Sequence, residues 1–96
     1  MPPLPQTEID KKLQATKGWS QVGNALHQKF TLQTFPAAIE FVNRIARTAE
    51  SANHHPDIDI RYNVVVITLS THSAGGITAK DFALAQQIDE IVSNLP

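Results

Sequence analysis

Two adjacent histidines followed by a proline, His54-His55-Pro56, and a third histidine seventeen positions on, His72, are the residues here best suited to chemistry. Imidazole gives and takes a proton near neutral pH without a tuned environment. Glu50 lies one helical turn before His54, a spacing that lets its carboxylate hydrogen-bond a histidine nitrogen. Such a bond fixes the tautomer and raises the ring's basicity. Thr78 and Asp81 open a helix six residues beyond His72, and its free amide groups can receive polar ligand atoms. The chain has no cysteine, which removes thiol catalysis, disulfides and cysteine zinc sites together. What is left is acid–base equipment without an obvious nucleophile.

The elements that must gather these residues follow from periodicity. Thr7 and Asp10 have the spacing of a capping box, and a short helix is predicted from there to about Ala15, ended by Lys17-Gly18. Trp19 to Val22 reads as a strand, Gly23-Asn24 as a tight turn, and ALHQKFTL as a strand with Leu26, Phe30 and Leu32 on its dry face. Thr34 can cap a helix of about four turns in which Ile39, Val42, Ile45, Ala46 and Ala49 recur at helical spacing. Pro56 forces His55 out of the α region, so this helix must stop near Asn53.

Period two then returns. Ile58, Ile60 and Tyr62 share a side, Tyr62-Asn63 turns the chain, and VVVITLS is a β-branched strand with Val65, Ile67 and Leu69 facing the core. A turn at Tyr62-Asn63 pairs residue 55 with about residue 70, so His55 and His72 leave the sheet at the same end. Val64 and Val66 point the other way and suggest a covered second face. Ala74-Gly75-Gly76 reads as a flexible loop. The last helix carries Leu84, Ala85, Ile88, Ile91, Val92 and Leu95. The order α-β-β-α-β-β-α describes an α+β fold: a four-stranded antiparallel sheet with helices packed on one face. Residues 1–96 read as a single domain, with residues 1–6 flexible behind Pro2, Pro3 and Pro5.

Composition excludes other classes. Net charge is −1 and lysines and arginines are scattered, so no basic stripe neutralises phosphates and no direct nucleic-acid ligand is expected. The start, MPPLPQTEID, has neither a basic n-region nor an apolar h-region, and the longest apolar run is Val64 to Ile67. No leader, no membrane segment and a cytoplasmic location are the expectation.

Each residue also has a plainer explanation. A histidine pair at a helix C-terminus can serve only as a dipole partner, and it is the convergence of the set that argues for chemistry. His27 and Lys80 read as exposed polar residues, Trp19 as core or rim, Tyr62 as structural, and Asp81, taken alone, as a helix cap. Three histidines and a carboxylate could ligate zinc, but adjacent histidines diverge from an extended backbone, so no metal is assigned.

The run ESANHHPDIDIRYNVVVITLSTHSAGGITAKD resembles the signature of the pterin-4a-carbinolamine dehydratases, also called 4a-hydroxytetrahydrobiopterin dehydratases. Glu50, His54, His55, Pro56, Tyr62, His72 and Asp81 stand at the signature positions, and the likeness extends from about Trp19 onward. Asn53 departs from the aspartate, and Ile58 from the tryptophan, of well-studied animal members. The resemblance implies a hydro-lyase that dehydrates 4a-hydroxytetrahydropterin for aromatic amino acid hydroxylases. It implies His54, His55 and His72 as catalytic residues, with Glu50, Asn53 and Asp81 at the substrate. Within the set, His55 and His72 are assigned the proton transfers and His54 the positioning of the ring. The pterin is itself the substrate, so no cofactor is called for. It further implies a homodimer or homotetramer, and an alternative role as a non-catalytic dimerisation and transcriptional coactivator module.

Overall fold

Proline decides where the chain first becomes helical. The computed structural model describes residues 2–96. Helix α1 runs Gln6–Gln14, with Pro5 at its N-cap and no side-chain cap. The expected Thr7–Asp10 box is therefore not formed, because Thr7 already lies inside the helix. Pro5 has its φ preset and its carbonyl takes the N–H groups of Glu8 and Ile9 at 3.0 and 3.1 Å, starting the helix earlier. Ahead of it, the Leu4 N–H donates to the Ile77 carbonyl at 2.8 Å. Met1 lies outside the described residues.

Strands β1 (Ser20–Val22) and β2 (Ala25–Thr31) form the first hairpin, turned at Gly23-Asn24 as expected. Helix α2, Phe35–Ala52, is capped by Thr34, whose side chain accepts the Ala37 N–H at 3.1 Å, with proline in the first turn. Strands β3 (Asp57–Arg61) and β4 (Val64–Leu69) pair as a turn at Tyr62-Asn63 requires, Arg61 opposite Val64 and Asp57 opposite Thr68. The sheet order is β1-β2-β4-β3, all antiparallel, and helix α3 is Ala79–Ser93. The fold is the α+β layer that the periodicity predicts.

The core is built from Leu26, Val65, Ile67 and Leu69 of the sheet against Ala38, Phe41, Ile45 and Ala49 of α2 and Leu84, Ala85 and Ile88 of α3. Three details differ from expectation. In α2 the inward stripe is Ala38-Phe41-Ile45-Ala49, while Ile39 is half-buried and Ala46 exposed. The Phe41 ring meets Phe30 edge-on at 5.0 Å, and Phe30 in turn meets Trp19 at 6.0 Å, so the aromatic row sets the helix's rotation. Tyr62 sits in the turn at φ 54 and is 73% exposed, which takes it off the apolar side of the hairpin. The glycine segment is not an open loop. His72–Ala74 form one 3-10 turn, ending on Gly75 at φ 73 and closed by a bridge between Thr71 and Gly76.

Trp19 is buried, and its Nε1–H donates to both carboxylate oxygens of Asp89, at 3.0 and 3.1 Å; Gln28 Nε2 adds a third bond at 3.2 Å. Burial pushes the Asp89 carboxyl above its ordinary value of 3.8, and the Trp19 and Gln28 hydrogen bonds oppose the shift without cancelling it. The folded protein thus binds a proton here more readily than the unfolded chain, and this group opposes folding at neutral pH. Its unfavourable contribution disappears as pH falls through the raised folded value toward 3.8. Wild-type stability measured against Asp89→Asn should therefore increase as pH is lowered, in parallel urea titrations of the two proteins. A difference independent of pH would show that Asp89 carries no such linkage.

Candidate active site

The left-handed backbone of Asn53, φ 51, ends α2 and separates the two histidines that follow. Asparagine tolerates that region better than most residues. The His54 N–H then closes onto the Ala49 carbonyl at 3.1 Å, the His54 side chain turns inward, and His55 leads outward into Pro56 and β3. Side-chain exposure is 11% for His54 against 60% for His55.

His54 Nε2 lies 2.6 Å from Asp81 Oδ1. Asp81 is fully buried at the third position of α3, where it closes a capping box with Thr78. Its other oxygen, Oδ2, accepts the Thr71 hydroxyl at 2.8 Å and the Thr78 N–H at 2.9 Å. Thr71 has a single hydroxyl proton and gives it to Asp81, so in the 2.8 Å contact between the two threonine hydroxyls Thr78 must be the donor. Thr78 Oγ1 also accepts the Lys80 N–H at 3.2 Å. With the carboxylate as acceptor, the proton of neutral His54 sits on Nε2, and Nδ1 keeps its lone pair.

His55 Nε2 lies 2.8 Å from Glu50 Oε1 in an exposed pair. Of the two histidines its spacing could reach, Glu50 thus meets His55, a choice that follows from the turn at Asn53. His72 is exposed on the 3-10 turn. An open cavity of about 470 Å³ is lined by Asn53, His54, His55 and His72 together with Ser70, Ser73 and Lys80. Four of the six expected site residues therefore share one cavity wall. Asp81 lies beneath it, reaching it through His54, and Glu50 stands outside, reaching it through His55. Ser70, Ser73 and the Thr71 hydroxyl are site groups that sequence reasoning did not find, and Thr78 reads only as part of a helix start. The only signal was the Thr78–Asp81 spacing, which reads as a cap and says nothing of His54.

Among the described residues no three His, Asp or Glu side chains converge in a way that could hold a metal ion. The reason is geometric: His54 and His55 turn to different carboxylates. Nor is any helix among them long and apolar enough to cross a membrane.

Fold and site together define a class: a small α+β protein that gathers three imidazoles and a buried carboxylate around one open cavity. More particularly, the chain belongs to the pterin 4 alpha carbinolamine dehydratase family, whose sequence model matches residues 2–91. Relatives in Roseiflexus castenholzii and Chloroflexus aurantiacus, each named as a proposed pterin-4-alpha-carbinolamine dehydratase, are 53% and 54% identical. They cover 93% and 96% of this chain and 96% and 99% of their own. A crystal structure described as a transcriptional coactivator/pterin dehydratase from Brucella melitensis superposes with a TM-score of 0.90 at 34% identity, covering 93% of this chain and 97% of that one. A pterin dehydratase-like protein described as a RuBisCO assembly factor in the alpha-carboxysome shares the fold alone, with a TM-score of 0.63 at 22% identity over 76% of this chain and 84% of its own.

Proposed function

We propose that this protein dehydrates 4a-hydroxytetrahydropterin to the quinonoid dihydropterin, returning the pterin that aromatic amino acid hydroxylases consume. The observation that carries the reading is the cavity lined by His54, His55 and His72, with a carboxylate behind each of the first two. In the reaction a base takes the N5 proton, the C4a–N5 double bond forms, the C4a–O bond breaks, and an acid protonates the departing hydroxyl so that water leaves. His55 and His72, both exposed at the cavity, are given the two proton transfers. His54, fixed by Asp81, is given the orientation of the pterin by accepting a ring N–H at Nδ1. Glu50 supports His55 through its hydrogen bond. Paired imidazoles suit the task because a neutral ring serves as base and a protonated one as acid at the same pH. Assembly as a homodimer or homotetramer belongs to the same reading, supported by Val64 and Val66 on the helix-free side of β4 and by Val22, 59% exposed, on β1.

The test is the dehydration of freshly generated 4a-hydroxytetrahydropterin, followed by ultraviolet absorbance with and without protein. Acceleration over the spontaneous rate is expected. His72→Ala should lower kcat by about 10²-fold, the low end for a general acid or base, because an exposed ring with no side-chain hydrogen bond among the described residues is poorly oriented. An unchanged kcat in that variant removes His72 from the chemistry. No acceleration by folded wild-type protein would favour the coactivator-type binding module, the other half of the description carried by the Brucella structure.

A further inference from the structure

We propose that Thr71 is a positioning residue: its hydroxyl fixes the Asp81 carboxylate, and through it holds His54 in the Nε2–H tautomer. The proposal rests on the dehydratase reading for its kinetic consequence only. Its basis is the direction of the buried hydrogen-bond chain. The Lys80 N–H donates to Thr78 Oγ1, Thr78 to Thr71 Oγ1, and Thr71 to Asp81 Oδ2, leaving Oδ1 for His54. The side-chain links are 2.6–2.8 Å, and although Thr71 borders the cavity, Thr71, Thr78 and Asp81 are only 5%, 1% and 0% exposed, so water has little access to replace a missing donor. No buried side-chain nitrogen or oxygen among the described residues lacks a partner, so the chain has no spare group with which to rearrange.

The backbone of Thr71 is clamped as well. Its N–H donates to the Gly76 carbonyl at 2.9 Å, and its carbonyl accepts the Gly76 and Ala74 N–H groups at 3.3 and 3.0 Å. The hydroxyl therefore arrives at Asp81 from a fixed point. That point is also the N-cap of the 3-10 turn that carries His72. One side chain thus joins the start of α3, the His54–Asp81 pair and the base of the His72 turn. Without the hydroxyl, Asp81 Oδ2 keeps only the Thr78 N–H, and rotation about the Cβ–Cγ bond is resisted by one backbone donor and His54 instead of by three partners. The Thr78 proton, having lost its acceptor, becomes a competitor for the same carboxylate.

The experiment is ¹⁵N NMR of the His54 imidazole in the full-length protein, comparing wild type with Thr71→Val, Thr71→Ala and Thr71→Ser. Wild-type His54 is expected to show a protonated Nε2 and a bare Nδ1. Either folded variant lacking the hydroxyl should show a mixture with the Nδ1–H form, and serine should restore the wild-type pattern. The kcat of the valine or alanine variant should fall about tenfold or more, the scale of one lost hydrogen bond to a charged group, with serine rescuing it. Valine that retains the wild-type tautomer overturns the proposal, or alanine if valine does not fold. A wild-type ring protonated on Nδ1 overturns it with no variant at all. The two readings fail separately: a tautomer that responds in a protein without dehydratase activity sinks only the function, and an active enzyme whose tautomer ignores Thr71 sinks only this assignment.

Discussion

Asp81→Asn is expected to give a folded protein whose kcat/KM for the pterin dehydration is lower by roughly 10³-fold. The amide is nearly the size of the carboxylate, but its two ends are no longer alike. The Thr78 N–H is a backbone donor that cannot reverse, and it lies 2.9 Å from one end of the side chain, so the amide oxygen must take that position. The NH₂ group then faces His54 Nε2 across what was the 2.6 Å contact and requires an acceptor there. The imidazole proton moves to Nδ1, and the nitrogen assigned to accept from the pterin becomes a donor opposed to it. Stability should change little, by about 1 kcal/mol, because every buried polar group keeps a partner. Thermal melts followed by circular dichroism together with steady-state rates check both halves. An Asn variant with wild-type kcat/KM would show that the His54 tautomer is irrelevant to turnover.

That prediction was not available from the sequence, and the reason is physical. The Thr78–Asp81 capping box is local, three residues apart on one helix start, and its spacing is legible. The contact between Asp81 and His54 joins positions 27 apart that only the folded sheet brings together, and no periodicity encodes it. The second hairpin was legible because alternation and the turn at Tyr62-Asn63 fix a register with a single free choice, so His55 and His72 could be placed at one end of the sheet. Glu50 shows where the sequence left a choice open. Within one helical turn it could serve either histidine, and the left-handed φ of Asn53 decides between them. A sequence makes such a φ plausible at an asparagine but does not state it. Thr71 was overlooked for a related cause: a threonine at a strand's end is ordinary until a buried carboxylate is seen beside it.

In the core, Phe41→Ala should destabilise the protein by about 3–5 kcal/mol, which for a domain of this size lowers Tm by roughly 12–40 °C. Phe41 has no exposed surface, and its ring closes the aromatic row through Phe30 to Trp19. A loss of that size is a large share of the total stability of a small domain, typically about 5–15 kcal/mol. The consequence reaches the site, because α2 carries Glu50 and ends at Asn53, the residue that sets the directions of His54 and His55. Residual activity should therefore melt away with the fold rather than before it. The comparison that tests the rotation of α2 is Ile39→Ala. Helical periodicity read from the sequence puts Ile39 on the inward face, whereas the structure leaves it half-buried on the flank, where truncation should cost about 1 kcal/mol. Chemical denaturation of the two variants side by side decides the matter. If Ile39→Ala costs more than Phe41→Ala, α2 is turned by most of a residue's angular step, and the turn at Asn53 cannot deliver His54 to Asp81.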